Sequence, residues 1–197
     1  MRSTSLGLDL AGVEKRPTGV CLLSENLEAQ TCTVYRDNEL IGIALRFRPS
    51  IIGIDAPLSF PRVGGLRDCD RKLISMKIRV LPPILGGMRM LTRRAVRLKE
   101  KFEAEGFKVI ECFPGAARKI LELPGKTEPK EVAVKALRKL GLKIGEARLS
   151  NHELDAVLVA LTARLYLEGL AEPVGGEAEG QIVIPKPEAV KWLTRKL

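Results

Sequence analysis

The chain has a single histidine, His152, and aromatic residues make up only 4% of it. A zinc cage needs more histidine or tightly spaced cysteines. The four cysteines, Cys21, Cys32, Cys69 and Cys112, are scattered with no C-x-x-C pair. Reduced, mostly buried thiols are the expectation for them. So few aromatics argue against recognition dominated by bases stacked on rings. No apolar run approaches the roughly 20 residues of a membrane span, and the start lacks the apolar core of a secretory signal. A cytoplasmic protein with no membrane partner is therefore expected. No G-x-G-x-x-G follows a strand-like run, which removes support for a dinucleotide fold. Pro124-Gly125-Lys126-Thr127 resembles the end of a phosphate loop, but that pattern needs glycine at position 120, which is Ile120. Internal repeats and low-complexity tracts are absent, and asparagine and glutamine are sparse, as is common in heat-adapted proteins.

The chain does have charge, and it is unevenly placed. Its 197 residues carry a formal net charge of +9. Between Arg62 and Ala104 stand twelve Lys/Arg against four acids, nearly the whole excess of the chain. Such a local imbalance is an electrostatic footprint for a phosphate-rich partner. Arginine is frequent in it, and a guanidinium matches phosphate geometry with two parallel donors. A solvated charged face is the plain alternative.

Three acids stand where buried elements do not normally carry them. Asp9 closes the run Ser5-Leu6-Gly7-Leu8-Asp9, and Asp55 closes Ile51-Ile52-Gly53-Ile54-Asp55. Asp155 lies in the first turn of an apolar stretch that follows Ser150-Asn151-His152-Glu153. An ionised carboxylate beside such runs is costly unless it is paired or holds a metal. Three together suggest one acidic site suited to a hard divalent cation. Glu111, inside the strand-like Phe107–Phe113 run, is either a fourth ligand or an edge residue facing water. Ser150 and Glu153 fit a capping box, which makes Glu153 a capping partner first. His152 reads as a solvent-facing neighbour of that cap.

The spacing of apolar residues predicts strands over 5–10, 18–24, 29–35, 51–54, 107–113 and 182–184. Helices are expected over 39–47 with Asp37 as cap, and over 89–106, 116–123, 129–140 and 150–167. A small terminal helix carries Trp192. The first part of the basic segment, with Gly64-Gly65, Pro82-Pro83 and Gly86-Gly87, reads as loop. Three strands before the first long connection, then alternating strands and helices, imply an α/β domain with a mixed sheet.

Several strings carry a resemblance. They are Gly7-Leu8-Asp9-Leu10-Ala11-Gly12, Arg16-Pro17-Thr18-Gly19, Gly53-Ile54-Asp55-Ala56-Pro57-Leu58-Ser59, Arg67-Asp68-Cys69-Asp70-Arg71, Glu111-Cys112-Phe113-Pro114 and Leu154-Asp155-Ala156. Together they resemble an uncharacterised family of predicted nucleases with an RNase H-like fold. Distant relatives of that fold include RuvC-type Holliday-junction resolvases and the YqgF group. The resemblance implies a five-stranded mixed sheet flanked by helices, the first three strands antiparallel and the next two parallel to the first. It makes 1–197 one RNase H-like domain, with 62–104 as a basic insertion between the fourth and fifth strands, either a nucleic-acid clamp or a lid.

The implied activity is metal-dependent hydrolysis of phosphodiester bonds in nucleic acid, DNA or RNA. Asp9, Asp55 and Asp155 would hold Mg²⁺ or Mn²⁺, with Glu111 as a further catalytic candidate or the competing middle ligand. Lys15, Arg16, Arg67, Arg71, Arg89, Arg93, Arg94 and Arg97 are the candidate phosphate contacts. A homodimer would suit a junction substrate. Two other readings are a nucleic-acid-binding protein of the same fold that does not cut, and a phosphotransferase. The latter rests on Gly-x-Asp-x-Ala-Gly, which also resembles the phosphate loop of sugar kinases and actin-like ATPases.

Overall fold

A computed structural model of the chain describes residues 4–145 and 149–195. The strands are β1 (Ser5–Asp9), β2 (Thr18–Leu23), β3 (Glu28–Val34), β4 (Ile51–Ile54), β5 (Val109–Cys112), β6 (Lys143–Ile144), β7 (Ala171–Val174) and β8 (Ile182–Pro185). The helices are α1 (Asp37–Phe47), α2 (Asp68–Ser75), α3 (Gly86–Ala104), α4 (Pro114–Ile120), α5 (Lys130–Lys139), α6 (Asn151–Leu167) and α7 (Glu188–Thr194), with one 3₁₀ turn at Glu177–Glu179.

The strands form one mixed sheet in the order β6-β3-β2-β1-β4-β5-β8-β7. β1, β2 and β3 run antiparallel in turn, and β4 and β5 continue parallel to β1. These five are the expected core. The five strands that the resemblance implies are extended, among the described residues, to eight: β8 is the strand expected over 182–184, and β6 on one edge and β7 on the other were not expected. β6 has two residues, and β7 is Ala-Glu-Pro-Val. Neither has the alternation or the β-branched content by which a strand is legible.

Each face of the sheet is covered. Leu6, Leu8, Ile52 and Ile54 pack with Leu40 and Ala44 of α1 and with Ala95, Leu98 and Phe102 of α3. Ile51, Ile110 and Cys112 pack on the other side with α6 and with residues of α4, α5 and α7. Every residue of α6 from Leu154 to Leu165 is buried. A helix apolar on all sides can lie only between layers, and α6 lies between the sheet and the outer helices α4 and α5. Its start is the capping box: Ser150 Oγ accepts the Glu153 N–H at 3.1 Å and Glu153 Oε2 accepts the Ser150 N–H at 2.9 Å.

Two local expectations are revised. Asp37 does not cap α1; it is the first residue of the helix, and the Glu39 carboxylate accepts the N–H groups of Arg36 and Tyr35 instead. The segment 62–104 lies between β4 and β5 and carries α2 as well as α3. α2 was hidden by the glycines and prolines around it. Its apolar face, Cys69 and Leu73, is buried against Ile78, Ala116 and the β8 residues Ile182 and Ile184. All four cysteines are free, three of them buried and Cys32 exposed. Among the described residues no helix is long and apolar enough to cross a membrane.

Candidate metal centre

Side chains alternate between the two faces of a strand. On β1 this puts Leu6 and Leu8 toward α1 and α3, and Ser5, Gly7 and Asp9 toward α6. The Ser5 hydroxyl donates to the Ala160 carbonyl of α6 at 2.8 Å. On β4 the same parity sends Ile52 and Ile54 one way and Ile51, Gly53 and Asp55 the other. β1 and β4 are parallel neighbours with Leu8 opposite Ile54. Asp9 and Asp55 therefore emerge side by side at the carboxyl ends of adjacent strands, and the Asp55 N–H donates to the Leu8 carbonyl at 2.8 Å.

The third acid arrives because α6 lies directly on the sheet. A Cβ on Gly7 would stand 2.3 Å from the Ala156 carbonyl oxygen, and one on Gly19 would stand 2.0 Å from the His152 carbonyl oxygen. Only glycine permits backbone contact this close. The first turn of α6 is thereby set beside the ends of β1 and β4. Ligand oxygens of Asp9, Asp55 and Asp155 come within 4.8 Å of one another.

Three further side chains hold this cluster, and the sequence marked none of them as part of it. His152 Nδ1 is 2.6 Å from Asp9 Oδ2, so the histidine is a partner of the site and not only a neighbour of the cap. Arg118 Nη2 lies 3.1 Å from Asp155 Oδ1, and Lys126 Nζ lies 2.7 Å from Asp155 Oδ2. Arg118 comes from α4. Lys126 comes from the loop after it, within the Gly-Lys-Thr string whose phosphate-loop pattern fails; that lysine in a loop was the available signal.

The electrostatics follow from crowding. Burial pushes the Asp9 carboxyl up and Asp155 adds to this, while the His152 contact pulls it back. Asp55 is held well above the ordinary carboxylate range, by burial first and then by the charges of Asp9 and Asp155. Burial alone would lower Lys126, but Asp155, Asp55 and Asp9 together outweigh it and raise it. Part of the rise at Asp9 and Asp55 is repulsion between neighbouring carboxylates, which a cation seated among the three would relieve.

Glu111 stands elsewhere. It pairs with Ile54 across β4 and β5, so it shares the parity of Ile54 and points away from α6. Both its oxygens receive Arg67, at 2.7 Å each, and Oε2 also accepts the Leu58 N–H. Arg67 also binds Asp70 and is 1% exposed. Arg94 is 3% exposed and donates to Asp37, to the Ala11 carbonyl and to the Tyr35 carbonyl. The expectation that Arg67 and Arg94 contact phosphate is corrected: both guanidinium groups are buried and spent on internal partners. Arg94 instead fastens the loop that follows Asp9. Lys15, Arg16, Arg71, Arg89, Arg93 and Arg97 are exposed. Glu153 is a capping residue that also accepts the Thr31 hydroxyl at 2.9 Å.

The sheet order, the parity of its acids and the buried helix that completes the cluster define an α/β protein of the RNase H-like class. The fold resembles that of "T. thermophilus RuvC in complex with Holliday junction substrate", with 20% identity, a TM-score of 0.53, and coverage of 87% of this chain and 99% of that one. It also resembles "Thermus thermophilus RuvC structure", at 19% identity and a TM-score of 0.51, covering 84% and 96%. A comparison with curated proteins finds no match. The chain belongs to the family described as "Protein of unknown function (DUF429)", whose model matches residues 7–180.

Proposed function

We propose that this protein is a metal-dependent nuclease that hydrolyses phosphodiester bonds of nucleic acid, with Asp9, Asp55 and Asp155 holding Mg²⁺ or Mn²⁺. The observation that carries the reading is the convergence of three carboxylates, from two adjacent strand ends and one helix, within 4.8 Å. The donor set suits the ion. It is all oxygen, and two oxygens on opposite sides of one hard cation stand roughly 4–5 Å apart, twice a bond of about 2.0–2.6 Å. The likeness of the fold to RuvC supports the same reading.

A divalent ion bound there would supply Lewis-acid polarisation of the phosphoryl group and a nucleophilic water at neutral pH. The remaining roles belong to the chain. With Nδ1 of the half-exposed His152 ring on Asp9, Nε2 has no hydrogen-bond partner among the described residues and would take a proton from water in the tautomer that carries its hydrogen on Nδ1. Lys126 and Arg118 stand where phosphate oxygens would gather negative charge. The exposed arginines of α3 would hold flanking phosphates, and a homodimer would serve a substrate with two equivalent strands.

One observation favours a protein of this fold that binds nucleic acid without cutting it. Lys126 and Arg118 already occupy both oxygens of Asp155. Titration calorimetry of Mn²⁺ into wild type and into the folded Asp9→Asn/Asp155→Asn variant separates the two. Saturable binding lost in the variant, with divalent-dependent cleavage of nucleic acid, is the expected result. Salt-dependent nucleic-acid binding that survives removal of the metal, with no cleavage, would replace it with the binding reading.

A further inference from the structure

The carboxylates stand on a divide between two cavities. The larger has a volume of about 740 Å³ and the smaller about 260 Å³. Asp9, Arg118, Gly125 and Lys126 border both. A phosphodiester seated on the divide would have one substituent on each side.

The two sides differ in chemistry. The smaller cavity is lined largely by charged and polar groups, among them His152, Lys130 and Glu128. The larger is walled mainly by carbon. Leu10 and Pro57 stand beside the aspartates, Leu81, Met88 and Leu91 come from the basic insertion, and Phe113 comes from the end of β5. Its volume falls within the roughly 300–1,000 Å³ usual for small-ligand sites, which are apolar with a few convergent polar groups. A sugar–phosphate backbone needs cations and donors, and has no use for an apolar room. Leu81 nevertheless remains 62% exposed beside it.

We propose that the larger cavity takes the base of one unstacked nucleotide, with that nucleotide's phosphate on the divide. The proposal rests on the reading of the carboxylates as a phosphodiester-cleaving centre. The cations are placed for it. Arg118 is 8% exposed, and its Nε is buried without a hydrogen-bond partner among the described residues. Its Nη1 donates to the Pro124 carbonyl and its Nη2 to Asp155, which fixes the guanidinium charge at the divide, where a phosphate would meet it. Lys126 stands beside it, and exposed Arg79 flanks the insertion side of the cavity. The acids Asp70 and Glu111 also reach the wall, but Arg67 neutralises both. The insertion is thus the outer wall of a base pocket. A base inside a duplex cannot enter such a room without leaving the stack, so the substrate presents an unpaired nucleotide. Carbon walls read no base edge, so discrimination among the four bases is weak.

The test uses adenosine 5′-monophosphate and ribose 5-phosphate as probes, titrated by calorimetry with Mn²⁺ present. Wild type is expected to bind the nucleotide at least about tenfold tighter than the sugar phosphate, an advantage that Leu81→Asn/Met88→Asn removes. Mn²⁺ affinity in that variant confirms that the site itself is intact. A second arm compares cleavage of a duplex bearing one unpaired nucleotide with cleavage of the same duplex fully paired. Preference for the unpaired site, lost in the double variant, identifies a nucleotide within a strand. Base-dependent binding of the monophosphate without such preference identifies a free nucleotide as the occupant. Equal binding of both probes, or binding and cleavage unaffected by the double variant, overturns the pocket and leaves the hydrolase reading standing. Base-dependent binding with no cleavage of any nucleic acid keeps the pocket and overturns the hydrolase.

Discussion

Arg67 grips Glu111 at two points, 2.7 Å on each arm, with the two side chains 1% and 6% exposed. Removing one partner of a buried pair leaves an uncompensated charge and costs about 3–5 kcal/mol. Arg67→Ala strands Asp70 as well as Glu111. Its expected loss in a chain of this size is a fall in Tm of roughly 6–20 °C. Glu111→Gln is expected to lower stability while leaving Mn²⁺ affinity unchanged. Calorimetry on that variant checks the assignment directly, because a metal ligand would lose Mn²⁺ affinity on the same substitution.

The same pair shows where reading the sequence stops. Asp9, Asp55 and Asp155 were legible because each interrupts an apolar run, and a charge there needs a reason. The five core strands and α6 were legible for the same cause, namely continuous hydrophobic patterning bounded by glycine, proline or a cap. Glu111 met the same criterion, yet its carboxylate is held by Arg67 and the Leu58 N–H and is not part of the aspartate cluster. Its face is set by its register against Ile54, and a run of four residues does not state its register. Arg67 and Arg94 were counted with the exposed arginines because composition cannot distinguish a guanidinium facing water from one buried among acids and carbonyls. His152, Arg118 and Lys126 reach the cluster from the first turn of α6, from α4 and from a loop. The packing of α6 on Gly7 and Gly19, and of α4 on α6, brings these elements together.

Glu179 ties the start of the insertion to the 3₁₀ turn. Its carboxylate accepts the Arg62 N–H at 2.7 Å and the Asp68 N–H at 3.0 Å, with Arg71 nearby. The Arg62 N–H, then that of Asp68, hold its pKa below the ordinary value of 4.5. A carboxyl depressed in the folded state contributes stability above its unfolded pKa, and loses it as pH falls through the folded value. The amide resonance of Arg62 is therefore expected to titrate with a midpoint below 4.5. Glu179→Gln should abolish that titration. A midpoint at or above the ordinary value would remove the tether from the account.

Arg89, Arg93 and Arg97 recur every fourth residue along α3, and all three are exposed. Like charges at this spacing destabilise a helix by about 0.2–0.5 kcal/mol per pair. A fold alone gains nothing from such a stripe, whereas a polyphosphate partner does. The triple variant Arg89→Ala/Arg93→Ala/Arg97→Ala is expected to keep or slightly raise Tm. In the same variant the slope of log K against log salt for nucleic-acid binding should shrink by roughly 2–3, from about 0.7–0.9 per lost phosphate contact. Arg94→Ala, one residue from the stripe, should do the reverse. It should cost stability, because Arg94 holds Asp37, Ala11 and Tyr35. An unchanged salt slope in the triple variant would move the nucleic-acid contact off α3.

Two glycine substitutions isolate what places Asp155. A methyl group on Gly7 would meet the Ala156 oxygen and the Ala160 nitrogen at 2.3 Å, and backbone atoms cannot rotate away. Gly7→Ala must therefore lift α6 off β1, at a cost of about 1–3 kcal/mol or more. Because α6 carries both Asp155 and His152, the lift should also draw them away from Asp9 and Asp55. Gly42, within α1, has nothing within 4 Å of such a methyl group. Gly42→Ala should stabilise the helix by roughly 0.5–1 kcal/mol, since alanine loses less backbone freedom there. Denaturation followed by Mn²⁺ titration of the folded fraction reads both effects. The expected pair of results is a destabilised Gly7→Ala with Mn²⁺ affinity down at least about tenfold, and a stabilised Gly42→Ala with Mn²⁺ affinity unchanged. If Gly7→Ala destabilised the fold but bound Mn²⁺ as wild type does, the cluster would tolerate movement of α6, and close packing on glycine would not be what brings the third carboxylate into place.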